Sequence, residues 1–263
     1  MGIDALIFDV DGTIADTEEA HRVAFNLAFA RLGLGWRWER DEYRTLLEVA
    51  GGKERIRSYI DRLQLPRAER ERLRDMVREI HREKTRFYSS VVGDGGVPLR
   101  AGVRRLLEEA HADGYKLAIA STTTSVNIDA LLQATLGPRG LDMFTVIACG
   151  DQVLHKKPAP DIYLLALHGL GLLPHEAIAF EDSANGLRAA TAAGLWTVVT
   201  PTFWTEDHDF RGAGLVLPHL GSPAQHLPGE PGRQLTSAAW LTCEEAVRHA
   251  SRAPASSITT SVH

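Results

Sequence analysis

The chain has 263 residues, 44% of them hydrophobic, which is enough to bury a sizeable core and excludes disorder throughout. Its net charge of −5 gives no electrostatic footprint for nucleic acid, and two cysteines, Cys149 and Cys243, make neither a disulfide framework nor a zinc-ligand cluster. No stretch is long and apolar enough to span a bilayer, and the apolar run near the N-terminus lacks the basic flank of a signal peptide, so a monomeric cytoplasmic protein with no nucleic-acid or membrane partner is expected.

The run Ala5–Val10 reads as a first strand buried on both faces. It leads not into a crossover helix but into residues 16–94, a segment far too long for a loop and patterned as helices. Glu18–Arg31 carries apolar stripes through Val23 and Leu27 and through Phe25 and Phe29, and Lys53–Leu63 is a second helix stopped near Pro66. A third runs from Ala68 to Tyr88, with Leu73, Met76, Val77 and Ile80 at core-facing spacing. Trp36, Trp38 and Tyr43 are expected in the core of this bundle. The chain leaves the first strand by a hinge at Ala15–Asp16 and returns through Gly93–Pro98.

Beyond residue 100, the apolar runs Leu117–Ala120, Val146–Cys149, Ala177–Phe180 and Trp196–Val199 alternate with helical patterns at Val103–Ala112, Val126–Leu136, Asp161–Leu170 and Ala184–Ala193. The expected fold is therefore α/β: a doubly wound, mainly parallel, Rossmann-like core made of residues 1–15 and 95–263, with a helical domain inserted at 16–94. After the Gly- and Pro-rich stretch 221–232, Ala238–Leu241 is expected as a last short strand and Thr242-x-x-Glu245 as a capping box opening a helix to Ala250. The residues after Ser251 are expected to be disordered.

Chemistry gathers at the carboxyl ends of these strands. Asp9 and Asp11 close the first one in Asp9-Val10-Asp11-Gly12-Thr13, and ending a buried strand in acids needs a reason, although an Asp-Gly turn alone is commonplace. Ser121, Thr122 and Thr123 follow the second strand, where hydroxyls and N–H groups at a helix start can hold phosphate oxygens. Lys157 follows the third in Lys-Lys-Pro, and Glu181-Asp182 ends the fourth with hard oxygen ligands. Each piece alone has a structural reading, as an N-cap, a solvated lysine pair or an acidic helix start. Acid, hydroxyl, lysine and acid at four successive strand ends are a complementary set for phosphoryl transfer. A carboxylate attacks a phosphate dianion only where cations offset the repulsion, which calls for Mg²⁺ and a lysine close by.

Asp9-x-Asp11-Gly12-Thr13, Ser121, Lys157-Pro158 and Glu181-Asp182 resemble the four motifs of the haloacid dehalogenase superfamily, in its subgroup with a helical cap inserted after the first strand. The resemblance implies a Mg²⁺-dependent phosphatase in which Asp9 forms a phosphoaspartate and Asp11 protonates the leaving alcohol and then activates water. It also implies that Lys157 and Ser121 stabilise the transferring group, and that Asp9, Asp11 through its carbonyl, Glu181 and Asp182 position the metal. Within the insert, Glu18 and His21, Gly51-Gly52-Lys53-Glu54-Arg55 and Ile80-His81-Arg82-Glu83-Lys84, together with Ser121–Asn127, are similar to the CbbY family of xylulose-1,5-bisphosphate phosphatases. Ala50 and Val126 depart from that pattern, standing where threonine and proline are expected.

By this likeness Glu18, His21, Gly51, Gly52, Lys53, Glu54, His81, Arg82, Lys84, Thr122, Thr123 and Asn127 contact a small phosphorylated sugar. A bisphosphate has a second phosphate far from the metal, best met by cations on a closing domain, and Lys53, His81 and Lys84 suit that task. The alternative that the sequence leaves open is a β-phosphoglucomutase-like phosphosugar mutase; a haloacid dehalogenase would leave Asp11 and Glu181-Asp182 with no metal to serve, and retention of every catalytic group argues against a non-catalytic sugar-phosphate sensor.

Overall fold

The computed structural model describes residues 2–229, 235 and 239–252. Strands β1 (Ala5–Phe8), β2 (Lys116–Ala120), β3 (Val146–Ala148), β4 (Ala177–Glu181), β5 (Trp196–Val199) and β6 (Leu215–Val216) form one sheet in the order β3-β2-β1-β4-β5-β6. Every pairing in it is parallel, as the unbroken apolar runs led us to expect. Alternation along β1 sends Leu6 and Phe8 into one apolar cluster and Ala5 and Ile7 into another. Helices α5 (Val103–Ala112), α6 (Ser125–Leu136) and α9 (Cys243–Arg252) cover the first face, and α7 (Asp161–Leu170) and α8 (Ala184–Ala192) cover the second. The result is the doubly wound, Rossmann-like α/β arrangement.

Four helices stand between β1 and β2: α1 (Glu18–Arg31), α2 (Arg40–Leu46), α3 (Gly52–Arg62) and α4 (Arg67–Gly93). They gather a third apolar cluster around the fully buried Trp38, which meets Phe25 at 4.7 Å, Phe29 at 4.8 Å and Tyr59 at 5.3 Å between ring centroids. Trp36 packs partly buried against it, and Tyr43 lies fully inside. α4 runs five residues beyond the expected Tyr88 because its last turns enter the sheet's own core, where Tyr88 and Val92 are both buried.

Among the α-helices and strands, α2 and the two-residue β6 have no counterpart in the sequence reading. Of the expected strand Ala238–Leu241, Ala238 lies outside the described residues, and residues 239–241 form no ladder. They make single bonds instead, Leu227 N donating to Ala239 O at 2.6 Å and Leu241 N to Leu220 O at 2.8 Å. Thr242 Oγ1 does accept the Glu245 N–H at 3.1 Å, opening α9 as a cap should. The residues expected to be disordered, 253–263, fall outside the described ones.

The insert depends on its ring cluster, so Trp38→Ala should cost about 3–5 kcal/mol of stability, the usual range for emptying a large aromatic site. Urea unfolding of the two proteins checks this; a loss under about 1 kcal/mol would mean that the bundle is held by something other than Trp38.

Candidate active site

Strand register assembles the site. Phe8 pairs with Ile119 on one side and Phe180 on the other, so the chain emerges from three adjacent strands at one level, with Asp9, Ser121 and Glu181 close together. The strand order reverses between β1 and β4, which is where open α/β sheets leave a crevice for ligands. Phe8 and Phe180 stack at 4.4 Å, and Asp9 N donates to Phe180 O at 3.0 Å, fixing the two strand ends to each other. Gly12, at φ 81°, then folds the chain back over the crevice; a Cβ there would lie 2.2 Å from Asp182 Oδ2.

Asp9, Glu181 and Asp182 each offer a carboxylate oxygen within 4.8 Å of the others, and all three are buried. Lys157 Nζ joins two of them, donating to Asp9 Oδ1 at 2.7 Å and to Glu181 Oε1 at 2.6 Å. Tyr163 OH donates to the same Glu181 oxygen at 2.5 Å. Burial pushes the Asp9 carboxyl up to about 7, against the pull of Lys157. Burial and then the neighbouring Asp9 and Glu181 carry Asp182 well above the ordinary carboxylate range. Burial pulls the Lys157 ammonium down, but Asp9 and Glu181 outweigh it and hold it well above its usual value.

Three carboxylates therefore share one ammonium in a place without water's dielectric, and a set of hard oxygen donors with surplus negative charge fits a divalent cation such as Mg²⁺.

The Asp11 carboxylate stands apart from this cluster. Its Oδ1 accepts from Thr17 Oγ1 at 2.6 Å and contacts His21 Nε2 at 2.9 Å, and His21 Nδ1 lies 2.6 Å from Lys84 Nζ. Burial would raise Asp11, but His21 and then Thr17 prevail and keep it ionised, well below the ordinary range. The Lys84 ammonium is driven down to about 8 by burial, with Asp11 partly opposing. Tyr88 stacks on the His21 ring at 4.1 Å. Asp11, half-buried, and the buried His21 and Lys84 thus form a line of polar contacts reaching from the sheet into the insert.

One cavity runs from the strand ends to the insert. Asp9, Asp11, Ser121, Thr122, Thr123, Asn127, Lys157 and Asp182 line its floor and side, and Glu18, His21, Gly51, Gly52, His81 and Lys84 line it from the insert. Glu181 sits just behind, under Lys157. Asn127 Nδ2 donates to Thr123 Oγ1 at 2.9 Å, which leaves the buried Asn127 Oδ1 without a protein partner. A Cβ at Gly52 would lie 2.7 Å from His81 Nε2, so glycine is what lets the backbone approach that ring. Burial drives His81 down to about 3, leaving its imidazole neutral.

Three expected contacts lie outside the cavity lining. Lys53 pairs with Asp151 at 2.9 Å across the seam between insert and sheet. The Glu54 carboxylate folds over Gly51, 3.7 Å from Arg57, and Arg82 faces solvent 3.8 Å from Glu79. Their positions follow from helix geometry: Arg82 is one residue on from His81 and so about 100° round α4 from the inward face.

Other lining groups were given no role from the sequence, although Arg55 stands in the stretch Gly51-Gly52-Lys53-Glu54-Arg55. Arg55 is only 8% exposed, and donates to Leu46 O at 3.1 Å and to Tyr43 OH at 2.9 Å, while Tyr43 OH donates to Glu18 Oε2 at 2.8 Å. Asn185, Thr205 and His208 complete the wall beyond β4 and β5. A buried-side arginine within Gly51-x-x-x-Arg55 was the one signal available for these.

Known proteins resemble this chain along most of its length. The haloacid dehalogenase-like hydrolase profile matches residues 3–194. Protein CbbY from Cupriavidus necator is 52% identical over 233 residues, which cover 87% of this chain and 92% of that one. A crystal structure of a CbbY variant from Rhodobacter sphaeroides in complex with xylulose-(1,5)bisphosphate has a TM-score of 0.77 and 45% identity, covering 84% of this chain and 98% of its own. The phosphorylated carbohydrates phosphatase of Thermotoga maritima is 31% identical over 196 residues, 73% of this chain and 82% of that one. Among the described residues no helix is long and apolar enough to cross a membrane. With a profile that runs from β1 past the end of α8 and relatives of such identity along most of its length, the chain belongs to the haloacid dehalogenase-like hydrolases.

Proposed function

We propose that this protein is a Mg²⁺-dependent phosphatase that works through a phosphoaspartate on Asp9, with xylulose-1,5-bisphosphate as its preferred substrate. At the coarser level the enzyme is a phosphatase of sugar phosphates, as its hydrolase family and its relative named a phosphorylated carbohydrates phosphatase support. The observation that carries the finer reading is the division of labour at one cavity wall. Asp9 sits in a lysine-bridged carboxylate cluster, while Asp11, two residues on, is held apart on His21.

In the first step an Asp9 oxygen attacks phosphorus, the bond from phosphorus to the sugar oxygen breaks, and that oxygen takes a proton from Asp11. In the second, Asp11 takes a proton from water as the water attacks phosphorus, the bond to Asp9 breaks, and inorganic phosphate leaves. Asp11 rests as a carboxylate, so it must first gain the proton it gives. His21 Nε2, 2.9 Å away, is placed to lend it, and Lys84, on the other ring nitrogen, to replace it. Lys157 counters the charge gathering around Asp9, and Ser121 with the N–H groups that follow it receives phosphate oxygens. Asp9 and Asp182, with Glu181 behind them, would hold Mg²⁺, which would supply further charge neutralisation for an anionic nucleophile meeting an anionic substrate.

A distal phosphate needs a cation on the insert side. Lys53 lies outside the cavity lining, His81 is neutral and Lys84 is turned to His21, so Arg55, which lines the cavity beside the Gly51-Gly52 backbone and, among the described residues, bonds the protein through Nε and Nη1 alone, is the group we assign to it. The Rhodobacter sphaeroides complex with xylulose-(1,5)bisphosphate, at 45% identity, supports a bisphosphate as the ligand class. A putative β-phosphoglucomutase structure from Thermotoga maritima, 28% identical at a TM-score of 0.58, keeps a mutase as the second reading. Release of inorganic phosphate, as opposed to isomerisation of a sugar monophosphate, separates the two.

Asp9→Asn should lower kcat by at least about a thousandfold while the circular dichroism spectrum stays unchanged, since an amide cannot form the acyl phosphate. Full turnover in that variant would sink the covalent mechanism. Thorough EDTA treatment should stop phosphate release and added Mg²⁺ restore it; persistence of activity after chelation would refute the metal.

Arg55→Gln should cut kcat/KM for xylulose-1,5-bisphosphate by about tenfold to a hundredfold, the worth of a charge-assisted contact, and leave sugar monophosphates within about twofold. Lys84→Met should depress both classes alike, because it serves Asp11 and not a phosphate. Equal losses for both classes in Arg55→Gln would withdraw the bisphosphate assignment and leave an unspecified sugar-phosphate phosphatase.

A further inference from the structure

We propose that the loop 200–208, which follows β5, couples the seating of the helical insert to the position of Asp182, with Trp204 and Thr205 as positioning residues; the inference rests on the proposed metal-dependent reaction. Trp204 is the one member of the insert's apolar cluster, among the described residues, that does not come from between β1 and β2. It is 2% exposed and meets Tyr43 edge-on at 5.7 Å, with the Arg40 guanidinium 5.3 Å from its ring. The loop's exposed side is tied to the same helix α2, Asp207 accepting from Arg44 at 2.7 Å. A tryptophan of the sheet's domain thus completes the core of the insert.

The next residue faces the other way. Thr205 Oγ1 donates to Asp182 Oδ2 at 3.3 Å and lines the cavity, and His208 Nδ1 accepts the Ala184 N–H at 3.3 Å where α8 begins. Nothing between the two ends is slack. Thr202 N donates to Thr205 Oγ1 at 3.0 Å, Trp204 N donates to Thr202 Oγ1 at 3.1 Å, and Arg100 grips the carbonyls of Thr200 at 2.5 Å and Pro201 at 2.8 Å. A rigid four-residue turn with one end socketed in the insert and the other bonded to a carboxylate of the cation-binding cluster transmits displacement from one to the other.

Tyr43 makes the link two-sided, since the ring that Trp204 abuts also places Glu18 and Arg55 on the substrate side. With the insert seated, Trp204 holds Thr205 on Asp182; with the insert displaced, Asp182 loses that donor, and its hold on a cation weakens. Substrate, which seats the insert, and cation, which needs Asp182, then favour each other, as linkage requires of two ligands sharing one conformational element.

The test titrates Mg²⁺ calorimetrically into the full-length chain, as wild type, Trp204→Ala, Thr205→Val and the double variant, with kcat and KM for a sugar phosphate measured alongside. Each single change should weaken Mg²⁺ binding by about threefold to tenfold, and the double variant should be no weaker than the worse single, because both act on one path. kcat at fixed Mg²⁺ should fall with them and recover as Mg²⁺ is raised, and Thr205→Ser, which keeps the hydroxyl, should restore the affinity.

Wild-type Mg²⁺ affinity in Trp204→Ala, or losses in the double variant that multiply, would overturn the coupling. Should Trp204→Ala fail to fold, Arg44→Ala replaces it, removing the surface tie between α2 and the loop at Glu206 and Asp207 without opening the cluster. It should weaken Mg²⁺ binding about twofold when Thr205 is present and not at all in Thr205→Val, and unchanged binding in both overturns the proposal. Cation binding is read without turnover, so a wild type that binds Mg²⁺ but releases no phosphate from sugar phosphates would sink the proposed reaction and leave the coupling to be decided by the titration.

Discussion

Lys157 sits among more negative charge than it can balance, and the site is organised around that shortfall. Two of its donors are committed, to Asp9 and Glu181, and Asp182 remains on the far side of the cluster with burial working against its ionisation. Such a group would be costly as a structural ion pair, since the desolvation of buried charges is repaid only when their partners are complete. It becomes economical when a cation completes it. The register of β1 against β4, the Phe8–Phe180 stack and the Gly12 turn all serve to bring these oxygens within a few ångströms of one another at the sheet's carboxyl edge.

Asp9 and Asp11 share one turn yet live in opposite surroundings. Burial lifts the first towards neutrality in the bare site, while hydrogen bonds from His21 and Thr17 pin the second as an anion. Environments that push two neighbouring carboxyls apart are how a site assigns different chemical tasks to like groups. The insert takes part in that assignment, because Thr17 and His21 lie at its start and Lys84 on its longest helix. The ionisation of Asp11 therefore depends on a piece of chain that the sheet does not contain.

The sheet and the strand-end groups were legible because their signals are local: unbroken apolar runs for parallel strands, and acids, hydroxyls and a lysine directly after them. Helix α1 and strand β5 fall where the pattern put them, Glu18–Arg31 and Trp196–Val199. What was not legible is set by distance in sequence. Lys53 reads as a free cation until Asp151, 98 residues on, is found beside it. Tyr163 under Glu181 and Thr205 on Asp182 belong to no motif, since an ordinary helix residue and a loop threonine acquire their roles only from the strands packed next to them. Arg82 is a different case, for the helical period that places His81 and Lys84 inward already turns it outward.

Helix α4 has 27 residues, a rod of about 40 Å at the usual rise per residue. Leu73, Val77 and Ile80 anchor its first half in the ring cluster of the insert, Tyr88 and Val92 anchor its last turns in the core under the sheet, and His81 and Lys84 look into the cavity from the stretch between. A continuous helix cannot fold at its middle without giving up backbone bonds, so any displacement of the roof of the cavity would have to move it as one beam with its foot planted in the main core. The stiffness of that footing, and with it how readily a ligand is admitted, is then a property of the packing around Tyr88 and Val92. Evolution can retune admission from the basement, leaving every wall that touches the ligand as it was.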